Sequence, residues 1–191
     1  MGILSFFGIN FKHKNKIYEN SIILWEDDHL MIEIISSDNI DFATQETKRN
    51  SDFGDENNDG NGFANITSIA ENPNPTINLN ISKTELINLL ESVELEKIEY
   101  IYYNGAAKPI ESPKTIVYGK YNNGIFIESE NEIVINIWFS SYNFSKIRET
   151  KIIEGLNAIG NRFDMILVDW YKNKIINLKN INELNKYFEI E

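Results

Sequence analysis

The stretch Thr115–Phe139, TIVYGKYNNGIFIESENEIVINIWF, decides the fold of this chain. It contains three runs of β-branched and aromatic residues, separated by the connections YNNG and SEN. Connections of this length, with Asn or Gly where a positive φ is wanted, are typical of β-hairpins. The stretch therefore predicts an antiparallel meander. Lys97–Tyr103 has strand composition and extends it on the amino-terminal side, across a turn marked by Asn104 and Gly105.

Helical patterns flank the meander on both sides. Ser82 and Glu85 form a capping box, and apolar residues follow at helical spacing, which predicts a helix over Lys83–Ser92. A second helix is predicted over 144–160, with a glycine at its end as the C-cap. Asn180 is expected to cap a short last helix that carries one apolar face.

Apolar, β-branched runs elsewhere predict additional strands. Ser21–Trp25 and Leu30–Ile35 flank a short polar turn and predict a β-hairpin. Strands are also predicted over Thr76–Ile81, Phe163–Trp170 and Lys174–Leu178. Hairpins mixed with a few helices predict an α+β fold, with an antiparallel β-sheet (meander) packed with two or three helices, plus a long acidic loop. The length suits a single domain over 1–191.

The segment 36–75 has a different character from the rest of the chain. It is rich in Asp, Asn, Ser, Thr and Gly, with almost no large aliphatic residue before Ile66. Such a stretch predicts an acidic loop or insertion within the domain. Its run Asp55–Gly60, DENNDG, matches the first half of an EF-hand calcium loop, but Ile66 stands where a bidentate glutamate is required. A solvated turn is therefore the favoured interpretation over a calcium site.

Composition excludes several classes of protein. The 191 residues are 42% hydrophobic, which provides a core that needs no disulfide or metal, and we expect Trp138 and Trp170 inside it. The absence of cysteine excludes disulfides, thiolate zinc sites and cysteine nucleophiles, and is compatible with a cytoplasmic location. The net charge of −11 argues against nucleic acid and anionic membranes as partners.

The sequence offers little that is typical of catalysis. His13 lies between lysines and His29 lies in an acidic turn, so both are interpreted as exposed polar residues. The chain has no Walker A sequence, no G-x-G-x-x-G and no G-x-S-x-G elbow. We therefore predict no catalytic, cofactor-binding or metal-binding residues, and a protein that is not an enzyme.

The placement of charge is more informative than any motif. Residues 19–71 contain 13 acidic side chains and two basic ones, which accounts for the whole net charge, and the rest of the chain is neutral. A basic protein partner would be attracted to such a surface, because charge complementarity raises association rates and selects partners. The alternative is a loop that charge merely keeps soluble. The predicted partner-binding residues are Asp27, Asp28, Asp52, Asp55, Glu56 and Asp59.

The two ends of the chain resemble those of small immunity proteins from bacterial polymorphic and contact-dependent toxin systems. The opening is MGILSFFG, and the carboxyl-terminal part, MILVDWYKNKIINLKNINELNKYF, is similar to a strand–DW–turn–strand–helix ending. The resemblance implies a non-catalytic cytoplasmic protein that binds one toxin domain and blocks it. Many such toxins are nucleases with basic substrate sites, which an acidic inhibitor would occupy in place of phosphate. The alternatives are a structural or adaptor domain of a phage or secretion assembly, and an enzyme of unrecognised type.

Overall fold

The computed structural model describes residues 20–58 and 67–188, with the Glu26 side chain excepted. Within these ranges the strands are β1 (Ser21–Leu24), β2 (Ile32–Ser36), β3 (Lys97–Ile98), β4 (Tyr100–Tyr103), β5 (Thr115–Lys120), β6 (Asn123–Glu130), β7 (Ile133–Ser141), β8 (Met165–Asp169) and β9 (Lys174–Asn177). The α-helices are α1 (Ile40–Asn57), α2 (Lys83–Ser92), α3 (Ile152–Phe163) and α4 (Ile181–Phe188).

The main sheet has seven antiparallel strands in the order β3-β5-β6-β7-β2-β8-β9. Its β5-β6-β7 section is the meander that the sequence predicts. The β5–β6 turn places Tyr121 and Asn122 at φ of 55° and 60°, and the β6–β7 turn places Asn131 and Glu132 at 47° and 66°. Paired positive φ values match the right-handed twist of the flanking strands. The predicted α+β class is confirmed.

The predicted hairpin of the first two strands is wrong. β1 leaves the main sheet and pairs in parallel with β4 in a separate two-stranded ribbon, while β2 lies between β7 and β8. A 3-10 turn over Glu26–Asp28, followed by Leu30 at a φ of 59°, separates the two strands. The predicted strand Lys97–Tyr103 is divided for the same reason, because its second half joins the ribbon.

Three helices cover one face of the main sheet. Leu86 and Leu90 of α2, Leu156 of α3 and Phe188 of α4 pack against the inward side chains of the sheet in one buried cluster. Burial of each such side chain contributes roughly 1.5–3 kcal/mol. The Oγ of Ser82 accepts the N–H of Glu85 at 3.4 Å, which confirms the predicted cap of α2.

Asn180 likewise accepts the backbone N–H groups of Asn182 and Glu183, at 3.1 and 3.4 Å, and so confirms the predicted cap of α4. The helix over 144–160 is only partly as predicted. It begins as a 3-10 turn over Phe144–Glu149, and α3 runs on to a left-handed C-cap at Asp164. Gly160 does not end α3, since a Cβ there would lie 2.4 Å from the Cβ of Leu178, and its role is therefore close packing.

The opposite face of the main sheet is divided between two covers. The ribbon lays Ile22 and Leu24 over Val117, Phe126 and Trp138. The remaining area lies beneath α1. One cluster there contains Ala43 of the helix, Ile35 of β2, Val168 of β8, and Trp170, which directly follows β8. The two predicted core tryptophans are buried, with Trp138 2% and Trp170 4% exposed.

The expectation of a loop over 36–75 is wrong for much of the segment. Residues 40–57 form α1, the longest helix that the structure describes, and Thr76–Leu79 is a 3-10 turn where a strand was predicted. The buried residues of α1 are Ala43, Glu46 and Thr47. Because these are small or polar, the helix lacks the apolar periodicity that would have revealed it. Residues 67–75 are irregular, as predicted.

Candidate functional site

The predicted acidic residues of the 36–75 segment meet at the carboxyl-terminal end of α1. Asp52, Asp55 and Glu56 are spaced three and four residues apart on this helix, so they occupy neighbouring positions on its surface, and all three are exposed. The Lys48 ammonium pairs with the Asp52 carboxylate. We call Asp52, Asp55 and Glu56 the acidic end. The predicted turn over Asp55–Gly60 is helical through Asn57, and Asp59 and Gly60 lie outside the described residues.

The acidic end stands in an unfavourable position for helix stability. Unsatisfied carbonyl groups give the carboxyl terminus of a helix a partial negative charge, where acidic side chains destabilise by about 0.3–1 kcal/mol each. The last turn of α1 carries no basic residue that would offset this charge. Asp55 and Glu56, in this last turn, therefore do not stabilise α1, whereas Asp52 lies before it and pairs with Lys48.

A groove of about 690 Å³ lies beside the acidic end. Its apolar lining comes from Phe53 of α1, from Trp170 at the end of β8, and from Met31 and Ile69 in irregular segments. Asp55 lies on the same groove. The segment 36–75 supplies Phe53 and Ile69, and the fold brings Met31 and Trp170 to it from other parts of the chain.

Asp27 and Asp28 belong to a different element, the 3-10 turn after β1. Asp28 has a structural role, because its carboxylate accepts the backbone N–H of Trp25 at 3.0 Å and the hydroxyl of Ser140 at 3.3 Å. Asp27 is exposed, and its carbonyl accepts the hydroxyl of Tyr171 at 2.9 Å. Burial, followed by the charges of Asp28 and Asp27, raises the pKa of Tyr171.

The negative charge of residues 19–71 is therefore not all presented to solvent. Glu46 accepts two hydrogen bonds from the guanidinium of Arg49, at 3.0 and 2.7 Å, and one from the backbone N–H of Ala70 at 3.0 Å. The bond with Arg49 is the main cause that lowers the pKa of Glu46. Glu33 accepts the indole N–H of Trp170 at 2.8 Å, and burial raises its pKa. The expectation that the whole net charge forms one surface is wrong for these internal carboxylates.

A second region, which sequence reasoning missed, lies between the ribbon and the main sheet. Three N–H donors converge on Glu128: the His29 ring at 2.9 Å, the Asn136 amide at 2.8 Å and the Trp138 indole at 3.2 Å. His29 was interpreted as an exposed polar residue, and its side chain is 56% exposed, yet it bonds a residue 99 positions away.

Glu128, His29 and Trp138 border a cavity of about 400 Å³, which we call the aromatic cleft. Trp25 and Tyr103 line it and remain 48% and 44% exposed. The rings of Phe126 and Trp138 stack at 3.8 Å between centroids on its sheet side. Its remaining lining residues are Leu24, His29, Ile101, Ile110, Ser112, Thr115 and Glu128. Period-two alternation places Phe126 and Glu128 on one face of β6, which is the sequence signal that could have pointed to this cleft.

Within the part of the chain that the structure describes, no group of three or more His, Asp or Glu side chains could hold a metal ion. None of the described helices combines the length and apolar character that a bilayer crossing requires. No family model, no curated protein and no solved structure matches this chain.

Proposed function

We propose that this chain is a non-catalytic binding protein that neutralises a basic toxin domain, with the acidic end of α1 as its contact surface. The observation that carries the proposal is the exposure of Asp52, Asp55 and Glu56 at the negative end of α1, with no basic residue in its last turn. The charge is unfavourable for the isolated helix. A cationic partner would supply the missing positive charge and convert this cost into affinity.

The groove beside the acidic end supports the same proposal. Lysine and arginine side chains combine a cationic group with a long aliphatic stem. The walls contributed by Phe53, Met31 and Trp170 suit such stems, while Asp55 suits the charge. Charge alone selects partners and raises association rates, whereas buried apolar contacts supply most of the binding energy.

An immunity function explains why one surface would combine exposed negative charge with an apolar groove. A nuclease toxin binds phosphate through basic residues, so an acidic inhibitor competes for the same site. The resemblance of the chain ends to immunity proteins favours this reading over an adaptor domain of a phage or secretion assembly. The proposal gives His29 no catalytic role, so His29→Gln should leave protection against the toxin intact.

The test is a growth experiment with the reading frames that flank this gene. Each frame is expressed alone and together with this chain in a heterologous bacterium. We expect one frame to arrest growth and this chain to restore it. If no flanking frame is toxic, or if the chain does not protect, toxin neutralisation is refuted. An adaptor domain of a phage or secretion assembly is then the favoured function.

A matched pair of variants then locates the surface. Asp55→Lys with Glu56→Lys should abolish protection, because it places repulsive charge at the contact. Glu99→Lys with Glu111→Lys makes the same change in net charge at exposed acids elsewhere on the molecule and should keep protection. Equal protection by both variants would exclude the acidic end as the contact surface.

A further inference from the structure

The aromatic cleft presents negative charge to a confined and largely apolar space. Glu128 lines it, and its side chain is only 17% exposed. The described lining residues include no lysine or arginine, and His29, which bonds Glu128 at 2.9 Å, is the one side chain among them that can carry a positive charge. A carboxylate shielded from solvent attracts a cation more strongly than an exposed one, because the effective dielectric constant is lower.

The walls of the cleft add aromatic faces to that charge. Trp25 and Tyr103 line the cleft from the ribbon side and supply its accessible rings, whereas Phe126 and Trp138 stack on each other beneath it and are 0% and 2% exposed. Aromatic rings attract cations through their negative faces, and several rings around one site form the cages that recognise quaternary ammonium groups. Both Trp25 and Tyr103 retain accessible surface for such contacts.

The hydrogen-bond acceptors of the cleft are mostly occupied. The Glu128 carboxylate already accepts from His29, Asn136 and Trp138. The hydroxyls of Ser112 and Thr115 bond each other at 2.7 Å. A primary ammonium or a guanidinium would have to give up hydrogen bonds to water without gaining enough acceptors here. A quaternary ammonium has no N–H group, so it needs charge and aromatic contact alone.

We propose that the aromatic cleft binds a small free organic cation of the quaternary ammonium class. The cavity of about 400 Å³ admits a group of choline size with room to spare. This proposal is independent of the acidic end of α1, because the cleft lies beneath the ribbon and α1 is the other cover of this sheet face, and it would stand if toxin neutralisation failed.

The experiment compares three probes of similar size with the wild-type chain. Choline carries a quaternary ammonium, ethanolamine a primary one, and 3,3-dimethyl-1-butanol is the neutral carbon analogue of choline. Binding is followed by tryptophan fluorescence and by the indole N–H resonances of Trp25 and Trp138. We expect saturable choline binding with a Kd on the order of 1 mM, and at least about fivefold weaker binding of the other two probes.

Variants assign the effect to the cleft. Glu128→Gln removes the charge while keeping a side-chain oxygen for the donors, and should weaken choline binding about tenfold without changing the affinity for the alcohol. Trp25→Ala with Tyr103→Ala changes exposed positions, so the protein should stay folded and lose choline binding. Tyr121→Ala with Tyr142→Ala removes two exposed aromatic residues outside the cleft and should bind choline normally.

Several results would overturn the proposal. Absence of saturable choline binding by the folded wild-type chain would refute it directly. Equal affinity for choline and the neutral alcohol would identify a purely apolar cavity. Equal affinity for choline and ethanolamine would refute a preference for quaternary ammonium groups. Retained choline binding in the Trp25→Ala, Tyr103→Ala variant would place the ligand elsewhere.

Discussion

The aromatic cleft and the acidic end of α1 lie on the same face of the main sheet, but hydrogen bonds hold the carboxylate in the first, whereas the carboxylates of the second lie where negative charge is unfavourable. In the cleft, Glu128 is held by three hydrogen-bond partners from two segments of the chain, His29 before β2 and Asn136 and Trp138 of β7. At the acidic end, Asp55 and Glu56 add negative charge where the helix dipole is already negative. The cleft is thus built into the fold, whereas the acidic end is maintained at a cost to it. Substitutions of the buried residues of the cleft should lower stability, and substitutions at the acidic end should change binding.

The largest effect on stability is expected in the floor of the cleft. Trp138→Ala removes a ring that is 2% exposed, that stacks on Phe126 and that bonds Glu128. The free energy of unfolding, measured in urea, should fall by about 3–5 kcal/mol. Tyr142→Ala, at a residue 60% exposed, should change it by no more than about 0.5 kcal/mol. Equal losses in the two variants would mean that the stacked pair is not part of the core.

An intermediate effect on the free energy of unfolding is expected at Glu33, which lies between the two regions. It should appear as a change in stability with pH. Burial raises its pKa above the ordinary 4.5, although the bond from Trp170 and the charge of His29 lower it. The folded protein then holds this proton more tightly than the unfolded chain does. Ionisation of Glu33 therefore lowers the free energy of unfolding as the pH rises from 4.5 through the raised pKa.

Glu33→Gln tests this dependence, because glutamine cannot ionise but can still accept from Trp170. The stability of wild type relative to the variant should fall between pH 4.5 and neutral pH. The measurement is a pair of urea titrations at the two pH values. A difference that stays constant or grows would show that the folded protein favours the ionised carboxylate.

Local signals allowed much of this fold to be predicted. The β5-β6-β7 meander follows from alternation and turn residues, and α2 and α4 follow from the caps at Ser82 and Asn180. The partners of β1 and β2 could not be predicted, because both strands are apolar and strand composition does not specify a distant partner. α1 escaped prediction because its buried residues include Ala43 and Thr47 instead of large apolar side chains.

The two candidate sites also differ in how far the sequence predicts them. The acidic end could be found because charge is visible in any sequence, although its helical geometry was not foreseen. Alternation along β6 places Phe126 and Glu128 on one face, but the whole cleft could not be predicted, because His29 and Glu128 are 99 residues apart and meet only in the folded protein. Its residues carry no motif, and each taken alone has an ordinary structural explanation.

The smallest effect on stability, and an opposite one, is expected at the acidic end. Asp55→Asn with Glu56→Gln removes negative charge from the carboxyl terminus of α1 and should raise the free energy of unfolding by about 0.3–1 kcal/mol per group at low salt. Glu99→Gln with Glu111→Gln serves as the control with the same charge change outside helices. A loss of stability in the Asp55, Glu56 variant would mean that these carboxylates support the helix.

The central claim is that the acidic end attracts a basic partner, and association kinetics test it most directly. Asp52→Asn, Asp55→Asn, Glu56→Gln and Asp59→Asn are combined, and binding to the toxic product of the flanking reading frame is followed by stopped flow at two salt concentrations. The wild type should associate faster at low salt, since exposed charges are screened beyond about 8 Å at physiological ionic strength. The variant should associate more slowly and with a flatter salt dependence. An unchanged association rate and salt dependence would contradict the account, and would move the interface away from α1.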